Sequence, residues 1–227
     1  MDPGIFSRAF MKAAGSECDR QPKGKPTKKA GQFVRGGGGQ PVDIMAKGFA
    51  ATQGILGSST ACILCLHGSE GMLVAANLGD SGFLILRDGK VFFRSPSQQH
   101  RFNMPFQLGP YGSSLDNPEQ AEQFEIVVEL GDIIVLGTDG VFDNTFDEEI
   151  ALVINTAVKA RATPAQMAKA VALLARKHAE DPDFQSPFSM EAAKVGFNFN
   201  GGKMDDITVI VSVVDDGTAG TKQHARL

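Results

Sequence analysis

Four aspartates sit where short apolar runs give way to glycine-containing turns: Asp80 in NLGDSG, Asp139 and Asp143 in GTDGVFD, and Asp205 in GGKMDDITV. Carboxylates gathered at the ends of neighbouring strands make a hard-oxygen environment suited to Mg²⁺ or Mn²⁺, ions that need few protein ligands and keep several waters. Asp139 and Asp143 share a face if a helical turn follows the strand. Asp205 and Asp206 are adjacent, so in extended backbone they point apart and only one of them is a ligand. Asp followed by Gly is also ordinary turn vocabulary, and Asp88 with Gly89, set between two hairpin strands without further acids, is read as a turn and nothing more. On spacing alone, metal ligation and turn formation both stay open for each of the four.

The elements that must position these residues are visible as periodicities. Residues 4–14, GIFSRAFMKAA, put Ile5, Phe6, Ala9, Phe10 and Ala13 at helical spacing behind Asp2 and Pro3, which suit a cap and first turn. Residues 16–41 are rich in Gly, Pro and Lys and carry too few apolar side chains to offset the entropy of ordering, so a flexible linker is expected. Helical spacing returns over 42–54, with Gly54 or Gly57 ending the helix. STACILCLHG and MLVAANLG flank a turn over 68–71, and GFLILRDGKVFFRS is a second hairpin around Asp88 and Gly89. EQFEIVVEL alternates polar with apolar, and DIIVLGTD suits a strand buried on both faces, so an antiparallel meander is expected.

Asp147 is placed as the cap of EEIALVINTAVKA, and Thr163 with Pro164 opens a helix whose stripe is Met167, Ala170, Val171, Leu174, Ala175 and His178. A short helical stretch near Met190, a last core strand ITVIVSVV and a polar tail over 216–227 complete the chain. This order predicts a single α+β layered domain with its core over 42–215.

Composition narrows the function classes. A net charge of -4 over 227 residues and a pI near 5.6 give no sign of a nucleic-acid partner, and no run of about eighteen apolar residues offers a membrane span. Cys18, Cys62 and Cys65 are an odd number without a secretory leader pattern, which favours an intracellular, reducing compartment. Cys62 and Cys65 fall on opposite faces of a strand and are read as packing residues. Nothing in the sequence assigns an oligomeric state.

The ordered strings GSSTAC, ANLGDSGFLI, QQHRFNMPFQL, GDIIVLGTDGVFDN and GGKMDDITVIVSVV resemble the successive motifs of the type 2C (PPM) protein phosphatases, particularly the branch with mitochondrial members, from about residue 57 to residue 214. The resemblance implies an antiparallel β-sandwich with helices packed outside (four-layer αββα) and Mg²⁺ or Mn²⁺, two or three ions in a complete family member. It matches Asp139 and Asp205 to metal ligands, and Asp143 and Asp80 to the positions supporting a weaker third metal. It implies phosphoserine and phosphothreonine proteins as substrates and a metal-activated water as nucleophile, so Ser81, Thr138 and Cys62 stay turn or core residues. His100, in QQHRFN, falls near the place where family members carry a His-containing loop, so a site-proximal role and a plain loop histidine both stay open for it. The matching branch suggests a mitochondrial address by resemblance only, since residues 1–15 hold just Arg8 and Lys12 as basic residues.

One family feature does not occur in these residues: an Asp-Gly-x-Gly-Gly motif whose aspartate bridges both metals, preceded by a basic residue that holds phosphate. The expectation is therefore an N-terminally incomplete domain that begins after that strand and lacks its first strands. Two readings follow from it: a metal-dependent phosphatase with an incomplete metal set, or a catalytically silent regulatory or interaction domain.

Overall fold

The computed structural model describes residues 4–20, 40–68, 70–109 and 116–216. The proposed cap at Asp2 and Pro3, the linker from 21 to 39 and the tail from 217 lie outside the described residues. The described residues fall into two units, one drawn from those up to residue 80 and from 97 to 127, the other from 81–96 and from 128 to 216.

The first unit is built on two helices, α1 (Gly4–Arg20) and α2 (Pro41–Ala50). α1 runs six residues past the helix read from the sequence, so 16–20 are helical and not linker. Two causes act together: no proline interrupts the chain before Pro22, and Glu17 forms an ion pair with Lys47 of α2. Phe6, Phe10 and Ala14 of α1 pack with Ile44, Met45 and Phe49 of α2. Burying each phenylalanine is worth about 2–3 kcal/mol, which outweighs the ~1 kcal/mol that Gly15 costs inside a helix.

These helices share a core with a three-stranded antiparallel sheet of β1 (Ala61–His67), β2 (Met72–Leu78) and, beyond the intervening strands, β7 (Glu122–Val127), in the order β1-β2-β7. The register His67↔Met72 closes the hairpin over 68–71 as the sequence implies. Cys65 of β1 packs against the core, in keeping with its reading as a packing residue. A small ribbon of β5 (Gln99–Arg101) and β6 (Met104–Pro105) completes the unit.

The second unit holds β3 (Gly82–Arg87), β4 (Lys90–Arg94), β8 (Ile133–Gly137) and β9 (Val209–Val213) in the order β4-β3-β8-β9, all antiparallel. The hairpin β3–β4 turns through Asp88 (φ 50°) and Gly89 (φ 73°), both left-handed as a two-residue turn of this kind requires. The meander expected from the sequence is corrected: β7 pairs with β2 and β8 with β3, so the chain leaves the first unit after residue 80, returns to it after residue 96 and leaves it again after residue 127. Alternation within a strand reports which face is buried and not which strand lies beside it. β8 is central and buried at all but Leu136, whereas β9 is an edge strand of this sheet among the described residues, contributing Val211 to the core as expected while leaving Ile210 exposed.

Four helices belong to this unit: α3 (Asp139–Phe142), α4 (Asp147–Lys159), α5 (Pro164–Ala179) and α6 (Pro187–Lys194). The core joins Val141 and Phe142 of α3, Ile150 and Ile154 of α4, and Met167 and Val171 of α5 to Leu84, Val135 and Val211 of the sheet. Thr163 caps α5 as expected, its hydroxyl accepting from the Gln166 N–H while Gln166 accepts from the Thr163 N–H. Asp147 does not cap α4. Phe146 stands at the cap, Glu149 accepts from its N–H, and Asp147 occupies the first helical position 3.4 Å from the Arg94 guanidinium. The class is α+β, two antiparallel sheets with helices.

Candidate metal centre

Asp139 begins α3 immediately after β8, and one turn later Asp143 closes it by donating its N–H to the Asp139 carbonyl at 2.7 Å. The two carboxylates therefore face the same way, as the four-residue spacing implies. Asp205 arrives from the segment leading into β9, which is stitched to the end of β8 by Thr138. The Thr138 hydroxyl donates to the Asp206 carbonyl at 2.9 Å and accepts from the Thr208 N–H at 3.1 Å. Gly140 permits this approach: a Cβ there would lie 2.5 Å from the Asp206 carbonyl oxygen.

The three carboxylates meet at one point, and that point is the ammonium of Lys203. Nζ lies 2.9 Å from Asp139 Oδ2, 2.7 Å from Asp143 Oδ2 and 3.1 Å from Asp205 Oδ2. Burial opposes charge on this ammonium, but Asp143 and Asp139 outweigh it and hold Lys203 above its ordinary value. Burial pushes the Asp143 carboxyl up to about 6; Lys203 pulls the other way, and the like charges of Asp139 and Asp205 add to the rise. Asp205 is the opposite case, its burial outweighed by the Asp206 N–H and by Lys203, so its carboxyl lies below its ordinary value. The adjacent pair divides as expected, since Asp206 is exposed and donates its N–H to Asp205 Oδ1 at 2.8 Å.

Asp80 lies in the bend after β2, in the first unit, and is half-buried. His100 belongs to that unit too, its Nε2 3.0 Å from Asp116 and its ring stacked on Phe106 with centroids 3.9 Å apart. Asp116 is buried and also accepts from the Gln107 N–H and the Gln120 side chain, so its oxygens are committed to its own loop.

Three residues of this arrangement were not singled out from the sequence. Lys203 is one. Asn144 is another: it is fully buried, its Oδ1 accepts from the Lys203 N–H at 2.8 Å, and its Nδ2 donates to the Lys203 carbonyl at 2.8 Å and to the Gly140 carbonyl at 3.0 Å. His178 is the third, buried, donating from Nδ1 to the Asn144 carbonyl at 2.8 Å and stacked on Phe184. The only sequence signal was a lysine inside an acidic motif. Gly202 must be glycine here, because a Cβ would fall 1.9 Å from the His178 carbonyl oxygen.

The donor set is all oxygen and strongly anionic, which fits a hard divalent ion. Among the described residues no group of three or more acidic, histidine or cysteine side chains is arranged to hold a metal as it stands. The carboxylates surround an ammonium at hydrogen-bond distance, wider than the ~2.1 Å of Mg²⁺–oxygen bonds.

The family described as Stage II sporulation protein E (SpoIIE) matches residues 42–215. A probable protein phosphatase 2C 55 of Arabidopsis thaliana is 41% identical over 214 residues, covering 94% of this chain and 42% of the relative. A protein phosphatase PTC7 homolog of Danio rerio is 40% identical over 232 residues, covering 96% of this chain and 73% of that protein. Among solved structures, the photosystem II phosphatase PBCP superposes with a TM-score of 0.78 at 34% identity, over 95% of this chain and 81% of the other. The chain spans less than half the length of the two Arabidopsis thaliana relatives it matches, 42% and 48%.

Proposed function

The chain belongs to the type 2C (PPM) family of protein phosphatases, and from that premise we propose that it hydrolyses phosphoserine and phosphothreonine esters of proteins with the help of Mg²⁺ or Mn²⁺. The observation that carries this reading is the convergence of Asp139, Asp143 and Asp205 on a single cation position at the ends of β8 and β9. A divalent ion held there supplies a water acidified toward hydroxide and a counter-charge for the phosphoryl oxygens.

The protein's own groups do the rest. Asp139 and Asp205, fixed by α3 and by the Thr138 stitch, present carboxylate oxygens from two sides. Asp143 must give up its proton before it can ligate, and burial makes it hold that proton more tightly than an ordinary carboxyl does. No side chain need act as nucleophile. By family resemblance Asp80 is matched to a position that supports a weaker third metal.

A specific observation favours the second reading, a phosphatase-fold domain that binds phosphoproteins without turnover: the lysine of the acidic motif itself sits among the carboxylates. No Asp-Gly-x-Gly-Gly motif occurs within these 227 residues, so the bridging ligand that pairs two ions is not among them. The first reading therefore predicts slow turnover by this chain. The test is phosphothreonine-peptide hydrolysis against Mn²⁺ concentration, for this chain and for a chimera in which a relative's Asp-Gly-x-Gly-Gly segment precedes residue 1. A rise in Mn²⁺-dependent turnover in the chimera supports the phosphatase reading. Tight peptide binding with no turnover in either supports the silent domain.

A further inference from the structure

Lys203 has an unusual placement for a lysine. Its backbone is clamped from both sides by the buried Asn144, while its ammonium reaches three carboxylates and lies 5.0 Å from the centre of the Phe188 ring. The side chain is only 17% exposed. One ammonium against three ionised carboxylates leaves a local charge of -2, three less one, so the cluster is under-neutralised by its own lysine. A four-carbon stem on a fixed backbone is a flexible tether.

We propose that Lys203 is an internal counter-ion that holds the carboxylates together in the metal-free protein and is displaced from between them when a divalent ion binds. The inference rests on the metal-centre reading above. The ammonium and the ion occupy the same position, since the three oxygens that would close to metal–oxygen distance are the three that now accept from Nζ. Lys203 thus sets metal affinity from inside the fold: it keeps the site assembled without metal and opposes the metal's entry. Removing the charge relieves the competition and leaves the carboxylates repelling one another. Metal then binds more tightly, to a less stable metal-free protein.

Isothermal titration of Mn²⁺ into the full 227-residue protein and into Lys203→Met is the first measurement. The expected result is at least tenfold tighter binding by the variant, a lower melting temperature without metal and a larger rise on saturation, because a ligand stabilises in proportion to how far it exceeds its dissociation constant. A second measurement uses only the unaltered protein: the ¹⁵N-edited signal of the Lys203 ammonium, protected by its three carboxylate partners, should vanish as Mg²⁺ is titrated to saturation, followed independently by the Gly140 amide. Equal or weaker Mn²⁺ binding in Lys203→Met, or an ammonium signal unchanged at Mg²⁺ saturation, would overturn the inference and leave the metal centre standing. If neither protein binds Mn²⁺, both the metal centre and this inference fall.

Discussion

The side-chain amide of Asn144 grips the backbone of Lys203 from both sides, accepting from its N–H and donating to its carbonyl, each at 2.8 Å, across 59 residues of sequence. This fully buried clamp, itself anchored by His178, fixes where the acidic motif of residues 201–206 runs relative to α3. Asn144→Ala should leave the partly buried Lys203 N–H and carbonyl and the buried Gly140 carbonyl without this partner, costing about 2–4 kcal/mol. Urea unfolding measures that loss, and Mn²⁺ titration should show weaker binding as Asp205 drifts from Asp139. An Asn144→Ala protein of unchanged stability would remove the clamp from the account.

Gly140 is a second point where backbone, and not side-chain chemistry, builds the site. Gly140→Ala puts a methyl 2.5 Å from the Asp206 carbonyl oxygen, and since backbone lies on both sides neither can swing away. We expect a loss of about 1–3 kcal/mol and at least tenfold weaker Mn²⁺ binding, read by thermal unfolding and calorimetry.

How much of this was legible in the sequence follows from the range of each contact. Asp139 and Asp143 could be placed on one face because a strand and one helical turn fix their relation locally, and Asp205 could be told from Asp206 by extended-chain alternation alone. Lys203, Asn144 and His178 could not be singled out, because each acts through partners about 34 to 64 residues away that no local pattern encodes. The same limit explains the strand order: alternation in residues 122–127 predicts a half-buried strand but not that β2 is its neighbour. The first helix outran its reading because its last turn is held by a contact with α2. Asp147 illustrates competition, a good capping residue drawn instead to Arg94 while Glu149 satisfies the Phe146 N–H.

Acid stability should report on a pair remote from the candidate site. Asp132 is buried and accepts from Arg87 Nε at 3.0 Å and Nη2 at 2.7 Å. Burial raises its carboxyl, but Arg87 and the Glu129 N–H outweigh that and hold it below its ordinary value. A depressed carboxylate stabilises the fold above its unfolded pKa, about 3.9, and that contribution is lost as pH falls below it. Asp132→Asn should lower stability at neutral pH by removing the charge partner of Arg87 and flatten the acid limb of the stability curve. An unchanged limb in the variant would count against this pair.

Asp143 has the opposite sign. With its carboxyl pushed up to about 6 by burial, the metal-free fold holds a proton there that the unfolded chain has released, so its stability declines as pH rises from about 4 to 6. A divalent ion must displace that proton, so Mn²⁺ affinity should climb up to about pH 6 and level off above it. Calorimetry in buffers of different ionisation enthalpy should detect proton release below pH 6, and Asp143→Asn should abolish it. Affinity independent of pH between 5 and 7 would contradict the assignment.

The most direct test of the proposed function is phosphate release from a phosphothreonine peptide by the 227-residue protein and by Asp139→Asn, with and without saturating Mn²⁺. The account predicts slow turnover that requires Mn²⁺ and disappears in Asp139→Asn while the fold survives. Turnover indifferent to Mn²⁺ or to Asp139, or none at saturating Mn²⁺, would contradict it.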